Sequence, residues 1–121
     1  MRKPRIILDY LVDIRDQIDL IARFLTDVDS FDALKLDLKT AYAVTHAIEI
    51  MGEAPKNLPQ AFRRSHPEVP WRKMAGMRDK LVHECFGVDL SVLWVTATED
   101  VPQLTDAIQA IIKAEEASRI L

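Results

Sequence analysis

Ile7-Leu8-Asp9-Tyr10-Leu11-Val12-Asp13-Ile14-Arg15-Asp16-Gln17-Ile18-Asp19-Leu20-Ile21-Ala22-Arg23-Phe24-Leu25 carries one apolar stripe at helical spacing. Ile7, Leu11, Ile14, Ile18, Ile21 and Leu25 step by threes and fours, so they share one side of an α-helix. Asp9, Asp13, Arg15, Asp16, Asp19 and Arg23 decorate the rest. The pattern predicts a first helix over residues 5–26 whose apolar side faces a core.

The remaining chain reads the same way. Asp27 to Ser30 is a short connector, and Leu36 to Asn57 predicts a second long helix. Ala43, Ala47, Ile50 and Ala54 line one face of it, beside Val44, Ile48 and Met51. Gly52 in mid-helix costs roughly 1 kcal/mol relative to alanine, so a close helix contact is expected there. Pro55 lacks an N–H and is expected to kink the last turn. Pro59 to His66 predicts a short helix stopped by Pro67, and Val69-Pro70-Trp71 marks a new start. Residues 71–85 then predict a third main helix, with Gly87 as the stop and Asp89 as the cap of the next. Helices over 90–100 and 102–118 follow, separated or kinked at Pro102. Leu104, Ile108, Ile111 and Ile112 give the last its apolar side. Three glycines, with no Asn-Gly or Asp-Gly turn, leave strand signals poor. The expectation is an all-α bundle of four to five main helices, one domain over residues 1–121.

Hydrophobic residues make up 49% of the 121 and charged residues 29%, an ordinary globular balance. The net charge of −3 argues against a surface coated for indiscriminate nucleic-acid binding. The charge is uneven, however. Arg63, Arg64, Arg72, Lys73, Arg78 and Lys80 face only Glu68 and Asp79 within residues 61–80, so an anionic ligand is expected there if anywhere. Cys85 is the single cysteine, so no intrachain disulfide forms, which suits a reducing cytoplasm. The basic start at Arg2, Lys3 and Arg5 is followed by Asp9, Asp13 and Asp16, unlike a signal peptide. No stretch approaches about 18 uncharged apolar residues, so no membrane span is expected.

Gly76-Met77-Arg78-Asp79-Lys80-Leu81-Val82-His83 is the candidate chemistry. Arginine is a permanent phosphate-binding cation, and histidine moves protons near neutral pH. Five residues of helix separate Arg78 and His83 by about 140° around the axis. Their convergence needs a helix end near His83 or a two-fold axis between two chains. Read alone, the spacing favours the plainer reading, an arginine on a surface carboxylate and a satisfied interfacial histidine.

The flanks add more. The run Ala43-Val44-Thr45-His46-Ala47-Ile48-Glu49-Ile50-Met51-Gly52-Glu53-Ala54 precedes Leu58-Pro59. Val69-Pro70-Trp71, the Arg78/His83 block, Phe86-Gly87-Val88-Asp89 and Trp94 then follow in order. This series resembles the HepT-like branch of the HEPN superfamily, from about Ile6 to Ile112. The resemblance implies a helical bundle that dimerises, with Arg-x4-His motifs facing a cleft at the dimer interface. It implies a metal-independent endoribonuclease without cofactor, acting as the toxin beside a minimal nucleotidyltransferase antitoxin. By residue, Arg78 would hold the scissile phosphate and His83 would move the proton, with Asp79 in support.

Two positions depart from the branch. Its motif commonly continues His-x-Tyr, and the antitoxin adenylylates that tyrosine; here His83-Glu84 is followed by Cys85. His46 stands where arginine is common. A thiol cannot be modified as a phenol is, which leaves neutralisation by binding, modification elsewhere, or lost toxicity. The alternative reading is a non-catalytic, nucleotide- or partner-binding HEPN protein that associates with a nucleotidyltransferase.

Other residues read more plainly. Cys85 and His83 lie about 200° apart on a helix, against a Cys–His dyad. Glu49 and Glu53 share a helix face, but no Glu-x-x-His accompanies them, so no metal site is expected. Glu53 is the expected polar anchor for backbone or an arginine. Arg72, Lys73 and Lys80 are candidate RNA contacts, with Arg63 and Arg64 extending the track. Trp71 and Trp94 read as core or interface anchors rather than base stackers.

Overall fold

The computed structural model describes residues 4–81 and 87–120. Among them the chain forms eight α-helices and no β-strand: α1 (Ile7–Phe24), α2 (Phe31–Lys35), α3 (Leu38–Glu53), α4 (Gln60–Ser65), α5 (Trp71–Ala75), α6 (Met77–Leu81), α7 (Leu90–Val95) and α8 (Thr105–Ile120). α1 lies against α3 and α8, and α3 also packs on α5, α6 and α7. The all-α expectation holds, with three long helices and five short ones among the described residues.

The α1 stripe is the core. Leu11, Ile14, Ile18 and Ile21 are buried, while Ile7 and Leu25 pack at its edge. Asp9 accepts from the Ile6 N–H at 2.9 Å and fixes the start of the helix. In α3 the buried positions are Ala41, Val44, Thr45, Ala47, Ile48, Met51 and Gly52, with Ala43 and Ile50 only half-buried, so the core face is turned from the predicted one. Leu104, Ile108, Ile111 and Ile112 are all buried, as their spacing predicts.

Several boundaries follow from capping side chains. Ser30 Oγ accepts from the Ala33 N–H at 3.1 Å and starts α2, a helix the apolar spacing does not announce. Asp37 caps α3, accepting from the Thr40 N–H at 3.1 Å and the Thr40 hydroxyl at 2.6 Å. α3 ends at Glu53, and Pro55 sits in a following 3-10 turn rather than in a kinked helix. Pro102 has no N–H, so the ladder widens before it: the Val101 N–H donates to Thr96 O at 2.9 Å in a π turn. Gly87 has φ +89°, open to glycine without strain, and Asp89 accepts from the N–H groups of Ser91 and Val92.

The Thr40 hydroxyl, then the Thr40 N–H, hold the Asp37 carboxyl below the usual carboxylate range. A depressed folded-state pKa means stabilisation that is present above the unfolded value and lost as pH falls through the folded one. Asp37→Ala is therefore expected to lower the melting temperature at about pH 7, with the difference from wild type shrinking by about pH 2. Thermal melts of both proteins across that range check this.

Candidate functional site

The stretch expected as one helix over 71–85 is broken at Gly76. The Gly76 N–H closes α5 on Arg72 O at 3.0 Å, and α6 starts at Met77. Glycine's low helix propensity permits the break. Met77 and Leu81, one turn apart on α6, are both buried, which leaves Arg78, Asp79 and Lys80 on the outside. Residues 82–86 lie outside the described residues, so the expected positions of His83 and Cys85, and the final turn of the 71–85 helix, lie there too.

Arg78 is half exposed. Its Nε stands 3.9 Å from Glu49 Oε2 on α3, and an Nη stands 3.8 Å from Asp79 Oδ1. Both contacts are long. Exposed pairs of this kind contribute about 0–1 kcal/mol, whereas a hydrogen bond to a charged group contributes about 1.5–3 kcal/mol. A phosphate can therefore displace the carboxylates from Arg78.

The anchor carboxylate is Glu49, not Glu53. Glu53 instead pairs with Lys56 at 3.5 Å, within its own local turn. Gly52 explains how α3 comes so near: a Cβ there would lie 3.2 Å from the Met74 carbonyl oxygen of α5. Glu49 stands about one turn before that contact, and its part in the site was legible only in combination with Gly52. Of the basic candidates, Arg72 and Lys80 are exposed, while Lys73 is engaged with Asp100 at 3.5 Å. His46 is exposed on α3. Trp71 is buried and Trp94 packs at the core edge, in keeping with anchoring roles.

α3 presents one outward line: Leu38, Tyr42, His46, Glu49 and Glu53. Its first part is apolar, with Leu38 61% and Tyr42 71% exposed, and neighbouring Leu36 is 90% exposed. Leu38, Tyr42, Val88 and Leu90 line a groove of about 220 Å³ that reaches Gly87, four residues after His83 in the chain. The apolar groove and Arg78 thus border the same helix face. Among the described residues no group of histidine, cysteine or carboxylate side chains is arranged to hold a metal, and no helix is long and apolar enough to cross a membrane.

Residues 14–111 match the family model described as Ribonuclease HepT-like. The chain is 50% identical over 105 residues to "Probable ribonuclease HepT" of Thermococcus cleftensis, covering 87% of this chain and 94% of that one. It is 37% identical over 116 residues to a "Putative RNase" of Caldanaerobacter subterraneus, covering 96% and 100%. No solved structure matches it. The all-helical core, the Arg78 site on α6 and these matches together identify the chain as a member of the HepT-like family of the HEPN superfamily.

Proposed function

We propose that this protein is a metal-independent endoribonuclease whose cleft is built on Arg78 and His83. The observation that carries the reading is Arg78: in a chain of the HepT-like family, the motif arginine stands exposed on α6 and is held only loosely by Glu49. In this reading the ribose 2′-oxygen attacks the adjacent phosphorus as His83 removes its proton. The bond from phosphorus to the 5′-oxygen breaks, and that oxygen takes up a proton, leaving a 2′,3′-cyclic phosphate. Arg78 holds the phosphate and offsets the charge that gathers on its oxygens. Asp79, beside Arg78, supports its orientation. Cleavage of a mixed RNA pool by purified protein in excess chelator, leaving cyclic phosphate ends, is the expected result. A folded protein that leaves the pool intact counts against the reading.

The working form in this proposal is a homodimer. Supporting it, the apolar part of the α3 line adjoins the Arg78 site, so a second chain covering Leu38 and Tyr42 would complete a cleft between two motifs. Tyr42→Glu is expected to convert dimer to monomer in sedimentation and to lower cleavage with it, because a buried unpaired charge is costly at an apolar interface. A dimer unchanged by this substitution would move the interface elsewhere.

The proposed biological role is the toxin of a toxin–antitoxin pair in the cytoplasm, with a minimal nucleotidyltransferase as the antitoxin. Cys85 in place of the tyrosine favours restraint by binding over adenylylation at that position. The same residue is the one observation that favours the second reading, a non-catalytic partner of the nucleotidyltransferase. Growth arrest on expression alone, abolished by His83→Ala, separates the two in favour of the toxin.

A further inference from the structure

Three prolines divide the chain between residues 59 and 71. Pro59 precedes α4, Pro67 follows it, and Pro70 precedes α5. The two short helices are joined by aromatic packing. The Phe62 ring packs tilted against His66, with centroids 4.6 Å apart, and against Trp71, 6.4 Å apart, and Trp71 Nε1 donates to His66 O at 3.0 Å. This join sets Arg63 and Arg64 of α4 beside Arg72 of α5, around an open concavity of about 420 Å³.

Among the described residues, no carboxylate lies within ion-pair distance of Arg63, Arg64 or Arg72. The neighbouring cations differ: Lys73 is held by Asp100 and Arg78 by Glu49. The Arg63 Nε is buried and has no hydrogen-bond partner among the described residues. Three guanidinium groups thus stand without a carboxylate among the described residues, in a chain of net charge −3, which leaves them open to an anion from outside. Guanidinium forks match phosphate oxygens in pairs. A protein partner would want an apolar anchor as well. Among the described residues the large exposed apolar side chains are Ile6, Phe24, Leu36, Leu38, Tyr42 and Val95, none of which lines this concavity.

We propose that Arg63, Arg64 and Arg72 form a second phosphate-binding site, which takes the backbone of an RNA strand outside the cleaved linkage. Arg72 stands six residues before Arg78 in the chain, across the break at Gly76. The site rests on the ribonuclease reading for its ligand, but its test does not require cleavage.

The test is the binding of a single-stranded RNA oligonucleotide by fluorescence anisotropy across a salt series, in the His83→Ala background. Adding R63Q, R64Q and R72Q is expected to weaken binding about 10-fold or more and to flatten the salt slope by about 2, since three phosphate contacts are lost. R64Q with R72Q alters two exposed side chains only and guards against a folding effect of half-buried Arg63. Unchanged affinity and slope in that double variant overturns the site, as does a His83→Ala parent that binds no RNA. Retained RNA affinity with lost affinity for poly-glutamate assigns the arginines to an acidic protein and also overturns it. Wild-type protein that binds RNA through these arginines yet never cleaves it sinks the ribonuclease reading and keeps the site.

Discussion

Arg78→Ala is expected to lower the RNA cleavage rate about 100- to 1,000-fold, the usual loss when one charge-stabilising donor leaves a reacting centre. The substitution should be structurally quiet. Arg78 is half exposed, its contacts to Glu49 and Asp79 are long, and α6 is held by Met77 and Leu81 on its other side. The melting temperature should therefore stay close to wild type while activity falls. Arg78→Lys separates charge from geometry. Lysine keeps the positive charge but loses the planar fork, so partial recovery is expected rather than full. His83→Ala should cost about 100- to 10,000-fold through loss of proton transfer. Single-turnover cleavage in chelator by the purified variants, with melting curves alongside, checks all three. Equal residual activity in every variant would trace the cleavage to a contaminant.

Gly52→Leu is expected to destabilise the fold by about 3 kcal/mol, a fall of about 10 °C in melting temperature. The reason is the neighbour. A side chain at Gly52 meets the carbonyl oxygens of Met74 and Ala75, which belong to backbone and cannot turn aside as a side chain would. α3 and α5 must move apart, and the Glu49–Arg78 contact lies just beyond that seam. Gly52→Ala is the control. Its one methyl gains about 1 kcal/mol of helix propensity against a contact only a few tenths of an ångström too tight, so it should melt near wild type. Thermal unfolding followed by circular dichroism measures both. A leucine variant as stable as wild type would mean that the α3–α5 seam is not closely packed.

Much of this was legible in the sequence, and the parts that were not have common causes. The α1 stripe was read correctly because six apolar positions repeat one period over many turns, where a single misassigned residue changes little. The close contact at Gly52 was legible because a glycine in mid-helix demands a reason. The core face of α3 was not: Ala43 and Ile50 compete with Val44 and Ile48 for the inside, and only the position of α1 decides between them. α2 was missed because five residues hold too little periodicity, although Ser30 three residues before Ala33 signals a cap. At the site, Arg78 was read from its motif, while Glu49 was passed over for Glu53. Two carboxylates on one helix face look alike until the approach of α5 and α6 tells them apart.

The hydrogen bond from the Asp89 N–H to Leu81 O, 2.7 Å long, ties two positions eight residues apart. In polymer terms it is a clasp on a short tether. Bringing together the ends of such a loop costs on the order of 2 kcal/mol in lost chain entropy. Folding meets that cost once, when Leu81 enters the core at 0% exposure and Asp89 caps α7. Arg78 precedes the buried anchor by three residues on the same helix. The helix that carries Arg78 is thus moored at a buried point of the core. The chain entropy is therefore lost during folding, and not on binding, at the helix from which Arg78 projects.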